Sequence, residues 1–277
     1  MRRNLLYVCI LLLTGCTSLL FQPQREHIEN PVIDNFSYKD VYFKSSDGVS
    51  LHGWFLTAHG DDYGTILYLH GNAENLSTHV NYVLWLVSAG FNVFIFDYRG
   101  YGRSEGIPTV KGVHLDAEAA LETVLKMPEV RRDNLFVIGQ SLGGAIAVYT
   151  IANSPNKKYI KALIIDSAFA GYRMIASEKL TDLIITLPLR YPLSMLVNDY
   201  YSPVRWIRGV YPVPILIIHG EHDDVVPVHH SKILYKNAMG LKDIWITQAE
   251  GHIQSFLEEG IREKLLQYLI GKRSHYP

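Results

Sequence analysis

Short apolar runs alternate with amphipathic stretches along most of this chain. Runs rich in Ile, Leu, Val and Phe predict buried strands, and apolar residues at helical spacing between them predict helices. The predicted strands are residues 65–70, 91–96, 135–138, 162–165, 213–218 and 243–247. The predicted helices are residues 78–89, 112–127, 228–239 and 254–270, with another opening at about Gly143.

This alternation predicts the fold class. Strands that are apolar on both sides and separated by helices indicate parallel pairing with crossover helices on both faces of a sheet. Residues 38–58 instead alternate apolar and polar positions around Ser46-Asp47-Gly48, which predicts two antiparallel strands. The predicted fold is therefore an α/β class, doubly wound, mostly parallel sheet with an antiparallel start.

Length and charge limit the number of domains and the classes of partner. The 277 residues are 48% hydrophobic, which suits one domain with one large core. An irregular stretch at residues 169–211, broken by Pro188, Pro192 and Pro203, predicts an insertion in that domain. The formal net charge of -1 argues against a nucleic-acid partner or an electrostatic membrane surface.

The N-terminus has the pattern of a targeting segment. Arg2 and Arg3 precede the apolar residues 5–13, a run too short to span a bilayer, which needs about 20 residues. Leu13-Thr14-Gly15-Cys16 resembles a bacterial lipoprotein box, which implies a signal peptide at residues 1–15 and lipid on Cys16. An ordinary cleaved secretory signal and an uncleaved anchor are the alternatives.

The lipoprotein interpretation has consequences for the mature chain. Cys9 and Cys16 are its only cysteines, so no disulfide would remain after processing. Several acyl chains on Cys16 would anchor the protein stably to a membrane of the bacterial cell envelope, with the outer membrane facing the periplasm favoured. Residues 16–35 are predicted to be a tether, and residues 36–277 the folded domain.

Residues 135–148 carry the strongest chemical signal. They contain G-x-S-x-G between a predicted strand and a predicted helix, which is the pattern of a nucleophile elbow at Ser141. Gly139 and Gly143 meet its steric demand, since side chains at these two positions would clash. The helix that follows would point the N–H of Leu142 at an oxyanion. The alternative is a tight turn with a buried serine.

Five motifs together resemble the serine α/β-hydrolase superfamily and, within it, the Bem46-like group. They are HGNAEN at 70–75, FDYRGYGRSEG at 96–106, GQSLGG at 139–144, HGEHDDVVP at 219–227 and EGH at 250–252. The resemblance covers the chain from about residue 40 onward. It implies an α/β-hydrolase fold, a Ser-His-Asp triad and a small helical cap formed by the insertion at residues 169–211.

The resemblance also implies roles for single residues. Asp223 matches the acid of the family pattern and is preferred over its neighbour Asp224, while Asp166, at the end of another strand, is a third candidate. His252, on the loop after the last strand, is the expected base. The N–H groups of Leu142 and Asn72 are the expected oxyanion hole.

His70 and the motif at 96–106 have a second interpretation, in which they brace the loops rather than take part in the chemistry. His219 and His222 have H-x-x-H spacing, but no metal site and no cofactor are expected.

These residues predict a serine hydrolase that acts on ester or thioester bonds through an acyl-enzyme. An apolar cap and a lipid anchor favour a small-molecule or acylated substrate such as a palmitate ester. The apolar residues of the cap are equally explained by packing onto the sheet. An aminopeptidase-like amide hydrolase and a non-catalytic scaffold acting as a binding or assembly factor are the alternatives.

Overall fold

The computed structural model describes residues 20–28, 33–182 and 194–272. The predicted signal peptide at 1–15, the predicted lipidation site Cys16 and residues 183–193 of the predicted cap lie outside the described residues. Within them, no helix has the length and apolar character needed to cross a membrane.

An eight-stranded sheet forms the centre of the molecule, in the order β10-β9-β8-β7-β4-β6-β3-β2. The strands are β1 (Gln22–Pro23), β2 (Tyr38–Lys44), β3 (Ser50–Leu56), β4 (Thr65–Leu69), β5 (Ala73–Glu74), β6 (Asn92–Asp97), β7 (Leu135–Gln140), β8 (Ile160–Asp166), β9 (Ile215–His222) and β10 (Lys242–Glu250). From β6 to β10 neighbouring strands pair in parallel, whereas β3 pairs antiparallel with both β2 and β6.

Helices cover both faces of this sheet. They are α1 (Leu76–His79), α2 (Leu84–Ser88), α3 (Val110–Val124), α4 (Leu142–Asn153), α5 (Tyr172–Asp182), α6 (Pro203–Trp206), α7 (His229–Asn237) and α8 (Glu259–Lys272). Short 3-10 turns lie at Ile33–Asn35, Val80–Tyr82, Arg132–Asn134, Lys157–Tyr159, Ile207–Val210 and Ser255–Leu257. One apolar core lies under α3, α4 and α7, and a second lies under α1, α2 and α8. The prediction of an α/β-hydrolase fold with a doubly wound sheet is confirmed.

The helix predicted over residues 78–89 is broken into α1, a 3-10 turn and α2. The break lies at Val83, whose φ of -125° and ψ of -3° depart from helical values. Leu84, Leu86 and Val87 of α2 are all buried, so more than one side of this short helix is covered.

The N-terminal segment of residues 20–28 lies against the body of the molecule. Phe21 is buried in the core under α3 and α4, and β1 pairs in parallel with β5, just after the loop that leaves β4. From its polar character, residues 16–35 were predicted to be only a tether. The packing of residues 20–28 instead places this segment beside the loop that follows β4.

Candidate active site

Ser141 occupies the sharp turn between β7 and α4. Its backbone angles are φ 53° and ψ -117°, a left-handed conformation that is strained for a residue with a side chain. A Cβ added at Gly139 would lie 2.5 Å from the carbonyl oxygen of Gly143, and one at Gly143 would lie 2.0 Å from that of Leu69. Only glycine fits at these two positions, as the motif predicted.

His252 lies between Ser141 and Asp223. Its Nε2 is 2.8 Å from Ser141 Oγ, and its Nδ1 is 2.8 Å from Asp223 Oδ2. A carboxylate only accepts hydrogen bonds, so Nδ1 carries the proton and Nε2 presents its lone pair to the hydroxyl. This is the geometry in which an imidazole activates a serine as a nucleophile.

Asp223 is held by the turn that follows β9. Its Oδ1 accepts from the backbone N–H groups of Val225 (2.9 Å) and Val226 (2.8 Å), which leaves Oδ2 for His252. Burial acts to raise the pKa of Asp223, but hydrogen bonds from His219 and His252 outweigh it and hold that pKa well below the usual range. The carboxyl group therefore stays ionised and can orient the imidazole.

The two competing carboxylates are placed differently. Asp224 is exposed. Asp166, at the end of β8, is fully buried and accepts a hydrogen bond from Gln140 Nε2 at 2.7 Å, while its backbone carbonyl accepts from Ser141 N at 2.8 Å. Burial raises the pKa of Asp166. The structure therefore brings Asp223, and neither of the other two, to His252.

The candidate oxyanion hole lies between α4 and the loop after β4. Leu142 is the first residue of α4, so its N–H has no acceptor within the helix. A Cβ added at Gly71 would lie 3.8 Å from Ser141 Cβ, which shows how closely the loop approaches the nucleophile. Asn72 follows Gly71 directly. Both predicted donors thus belong to backbone that adjoins Ser141.

Buried aromatic groups brace this loop. His70 is fully buried, and its Nδ1 donates to the carbonyl oxygen of Gly71 at 2.7 Å. The hydroxyl groups of Tyr98 and Tyr101 donate to the carbonyl oxygens of His70 (3.2 Å) and Asn72 (2.7 Å). Burial, helped by the nearby His79, lowers the pKa of His70 to about 3, so it stays neutral. These contacts match the bracing interpretation of the sequence.

An ion-pair group holds the next part of the same motif. The Arg99 guanidinium contacts the carboxylates of Asp116, at 2.8 Å, and Asp47, at 2.7 Å. Asp116 is on α3, and Asp47 is in the turn between β2 and β3. Arg99 therefore holds the loop after β6 from two sides, through α3 and through the turn between β2 and β3.

The sequence did not reveal that the N-terminal segment of residues 20–28 contacts the loop after β4, which carries Asn72 and is the candidate oxyanion loop. Gln22 N donates to the carbonyl oxygen of Asn72 at 2.9 Å, and Gln24 N donates to that of Glu74 at 3.0 Å. Asn75 Nδ2 donates back to the carbonyl oxygen of Gln24 at 3.1 Å. Main-chain pairing of this kind leaves no pattern of side chains, so periodicity could not detect it.

The H-x-x-H pair does not form a shared site. Both ring nitrogens of His219 have protein partners, the hydroxyl of Ser231 and the carbonyl oxygen of Val226, and His222 is exposed. Within the described residues, neither histidine belongs to a group of three side chains that could hold a metal ion.

The described part of the cap is partly core and partly surface. Phe169 and Tyr172 are buried at 5% and 0% exposure and pack into the core under α4. Met195, Leu196 and Tyr200 are exposed at 69%, 60% and 50%. Packing onto the core thus accounts for Phe169 and Tyr172. Met195, Leu196 and Tyr200 form exposed apolar surface on the predicted cap.

Comparisons with known proteins show the family and the fold of this chain. A family model described as "Serine aminopeptidase, S33" matches residues 60–199. An uncharacterized protein of Escherichia coli K12, YfhR, is 34% identical over 269 residues, 95% of this chain and 90% of that protein. Protein bem46 of Schizosaccharomyces pombe is 30% identical over 222 residues, 77% of this chain and 70% of that protein.

Solved structures show the same fold. An esterase of Pyrococcus furiosus, Pf2001, superposes with a TM-score of 0.71 at 22% identity, covering 91% of this chain and 97% of that one. Together these comparisons identify a hydrolase of esterase-like architecture, and the chain belongs to the Bem46-like group of the serine α/β-hydrolase superfamily.

Proposed function

We propose that this protein is a serine hydrolase that cleaves ester or thioester bonds of acyl substrates through an acyl-enzyme. The observation that carries the proposal is the chain of contacts from Ser141 Oγ to His252 to Asp223, with 2.8 Å at each step. A serine hydroxyl is a poor nucleophile at neutral pH, so it needs a base within hydrogen-bond reach and a group that orients that base.

The proposed mechanism has two halves. His252 Nε2 takes the Ser141 proton as Oγ attacks the acyl carbonyl, and the N–H groups of Leu142 and Asn72 stabilise the oxyanion. The imidazolium then gives its proton to the leaving alcohol or thiol. Water, activated by the same imidazole, hydrolyses the acyl-enzyme and restores Ser141. Asp223 stays ionised and stabilises the imidazolium throughout.

The proposed substrate carries a hydrophobic acyl group. Met195, Leu196 and Tyr200 support this class, since they are exposed and offer apolar surface on the predicted cap. A free acid and an alcohol or thiol would be the products. No metal or cofactor takes part in these steps.

Labelling with a fluorophosphonate probe tests the enzyme class. The probe reacts with activated serines, so the wild-type chain should be labelled, Ser141→Ala should not, and Ser88→Ala, a change on the distant α2, should be labelled normally. Absence of labelling in the wild type would favour a non-catalytic scaffold over a hydrolase.

A substrate panel tests the bond that is cleaved. We expect kcat/KM for p-nitrophenyl esters and acyl-thioesters to rise with acyl-chain length. The family model's own description favours a second candidate, an aminopeptidase-like amide hydrolase. Faster turnover of aminoacyl amides than of every ester in the panel would select that candidate instead.

The proposed location is a lipid-anchored one in the bacterial envelope. Leu13-Thr14-Gly15-Cys16 supports it through its resemblance to a lipoprotein box. Expression in a bacterial host should place the wild-type chain in the membrane fraction, while Cys16→Ser should be processed differently and released from it. Complete retention of Cys16→Ser on the membrane would contradict the lipid anchor.

A further inference from the structure

A group of ligand atoms lies between the N-terminal segment and the sheet. His27 Nε2 is 3.1 Å from Asp97 Oδ2, and His52 Nδ1 is 3.8 Å from the same oxygen. The three atoms lie within 4.8 Å of one another. His27 belongs to the segment of residues 20–28, His52 to β3 and Asp97 to the end of β6. None of them takes part in the proposed hydrolysis.

The hydrogen bonds of His52 make this group unusual. Its Nε2 is 2.6 Å from Asp40 Oδ1, and because a carboxylate only accepts, Nε2 donates to it. Its Nδ1 faces Asp97 Oδ2 at 3.8 Å, which is beyond hydrogen-bond distance. The His52 side chain is fully buried, and among the described residues its Nδ1 has no hydrogen-bond partner. Two electron-rich atoms that face each other in a buried place favour a cation between them.

A second histidine group shows the opposite arrangement. His230 Nδ1 accepts from Ala170 N at 3.0 Å, so its Nε2 carries the proton and donates to Glu178 Oε2 at 2.9 Å. Because a backbone donor holds His230 Nδ1, the proton of this ring stays on Nε2. The Glu178, His229 and His230 group is therefore a set of hydrogen bonds that ties α5 to α7. His27 Nε2 also contacts a carboxylate, but among the described residues His27 Nδ1 has no hydrogen-bond partner, so its proton can move to Nδ1 and leave Nε2 free for a cation.

The spacing at Asp97 suits a tetrahedral metal site. Ligand atoms about 2.0–2.1 Å from a Zn²⁺ ion lie about 3.4 Å apart in tetrahedral geometry, and the observed separations of 3.1 and 3.8 Å lie on either side of that value. Asp40 is the type of outer carboxylate that orients a metal-binding histidine. Arg103 Nη1 lies 3.4 Å from Asp40 Oδ1, on the outer side of that carboxylate.

The backbone of Gly102 passes close to these atoms. A Cβ added at Gly102, whose φ is +44°, would lie 1.9 Å from Asp97 Oδ2 and 2.6 Å from His27 Nε2. His27 keeps 11% side-chain exposure, whereas Asp97 is fully buried, so solvent reaches the group from the His27 side. A water molecule could supply a fourth ligand from that direction.

We propose that His27 Nε2, His52 Nδ1 and Asp97 Oδ2 bind a divalent transition-metal cation of the Zn²⁺ type, which fastens the N-terminal segment to the sheet. Two imidazoles and one carboxylate form a ligand set that Zn²⁺ accepts. The cation would hold the segment whose Gln22 N contacts the oxyanion-loop carbonyl of Asn72. Its role is structural, and it lies outside the candidate triad.

Zinc titration of the tag-free full chain, stripped with EDTA beforehand, tests this site. We expect one Zn²⁺ per chain and a rise in Tm of about 5 °C at a zinc concentration 100 times Kd. His27→Gln, which changes a partly exposed side chain, should weaken zinc binding at least 100-fold. The matched control His59→Gln, at an exposed histidine outside the group, should bind zinc as the wild type does.

Asp40→Asn sharpens the test, because it removes only the orienting carboxylate and should weaken binding by about 10- to 100-fold. Anomalous diffraction from zinc-soaked crystals should place the ion among His27, His52 and Asp97. Equal zinc affinity in the wild type and His27→Gln, or an ion placed elsewhere, would overturn the proposal. Fluorophosphonate labelling of the same samples reports on Ser141 alone, so failure of the zinc site and failure of the proposed hydrolysis can be told apart.

Discussion

Two histidine–carboxylate groups lie at opposite ends of the loop of residues 70–76. At one end, Gly71 adjoins Ser141, whose hydroxyl faces His252 and Asp223; at the other, Leu76 N donates to Asp97 Oδ1 at 2.8 Å. Burial acts to raise the pKa of both carboxyl groups, and contacts with histidines lower it, to about 2 for Asp97. Both groups therefore contain an ionised carboxylate.

The difference lies in what the second nitrogen of each imidazole faces. His252 offers a lone pair to a hydroxyl, which can give up a proton, and its side chain is 16% exposed, so a substrate can reach it. His52 Nδ1 faces a carboxylate, and the His52 side chain is fully buried. The same two residue types thus suit proton transfer in one place and cation binding in the other, according to the partner of one nitrogen.

Replacing one histidine from each group separates the two roles most sharply. His252→Gln removes the base and should lower kcat about 10⁶-fold, whereas His27→Gln should change kcat by less than about tenfold because it affects the loop only indirectly. Steady-state kinetics on a p-nitrophenyl ester measures both. Comparable losses in the two variants would show that the groups act as one.

The second largest difference in kcat is expected between variants of Asp223 and of its neighbour Asp224. Asp223→Asn disturbs the tautomer of His252 and should lower kcat about 10⁴-fold. The control Asp224→Asn alters an exposed neighbour and should stay within about twofold of the wild type. An equal loss of kcat in Asp224→Asn and Asp223→Asn would contradict the assignment of Asp223 as the acid.

The bracing histidine between the groups should make stability depend on pH. Because the pKa of folded His70 is lowered to about 3, the unfolded chain takes up a proton first as the pH falls below about 6.5. Its stabilising contribution is complete above pH 6.5 and is lost as the pH falls toward 3. The free energy of unfolding should drop by about 2 kcal/mol for this group between pH 7 and pH 5.

Urea denaturation at pH 7 and pH 5 measures this loss. His70→Asn keeps a donor for the carbonyl oxygen of Gly71 but does not titrate in this range, so its stability should change less with pH than that of the wild type. His114, whose pKa burial lowers to about 4, acts in the same direction and should leave part of the dependence in that variant. An unchanged pH dependence in His70→Asn would contradict the assignment.

The smallest effect should come from a hydroxyl that braces the loop. Tyr101→Phe removes the hydrogen bond to the carbonyl oxygen of Asn72 and should cost about 1 kcal/mol of stability, with a loss in kcat of a few-fold. Tyr42→Phe, at a tyrosine that is 66% exposed, is the matched control and should be neutral in both measurements. Thermal unfolding and ester hydrolysis of the two variants make this comparison.

Short apolar runs predicted most of the sheet, and short sequence motifs predicted the residues of the candidate site. The elbow needs two glycines around a serine, and the acid and base follow strand ends, so their positions are written into short motifs. The prediction of a continuous helix at 78–89 was wrong, because the helical spacing of apolar residues does not reveal the non-helical backbone at Val83.

The parts that escaped prediction depend on distant pairings. Residues 20–28 attach mainly through backbone groups, which carry no compositional signal, and their register with β5 depends on the folded loop. His27, His52 and Asp97 lie on three separate segments that only the fold brings together. Lone histidines are common in sequences, so nothing distinguished these two beforehand.

The packing of Leu20 and Phe21 against the core limits how far the protein could move from a membrane. Three residues lie between the proposed lipid-bearing Cys16 and Leu20, and the four peptide units that join them extend to at most about 14 Å. The enzyme would be restricted to a thin layer above the lipid surface. Diffusion in that layer is two-dimensional, so acyl groups presented by the membrane would be encountered far more often than those dissolved in the surrounding fluid.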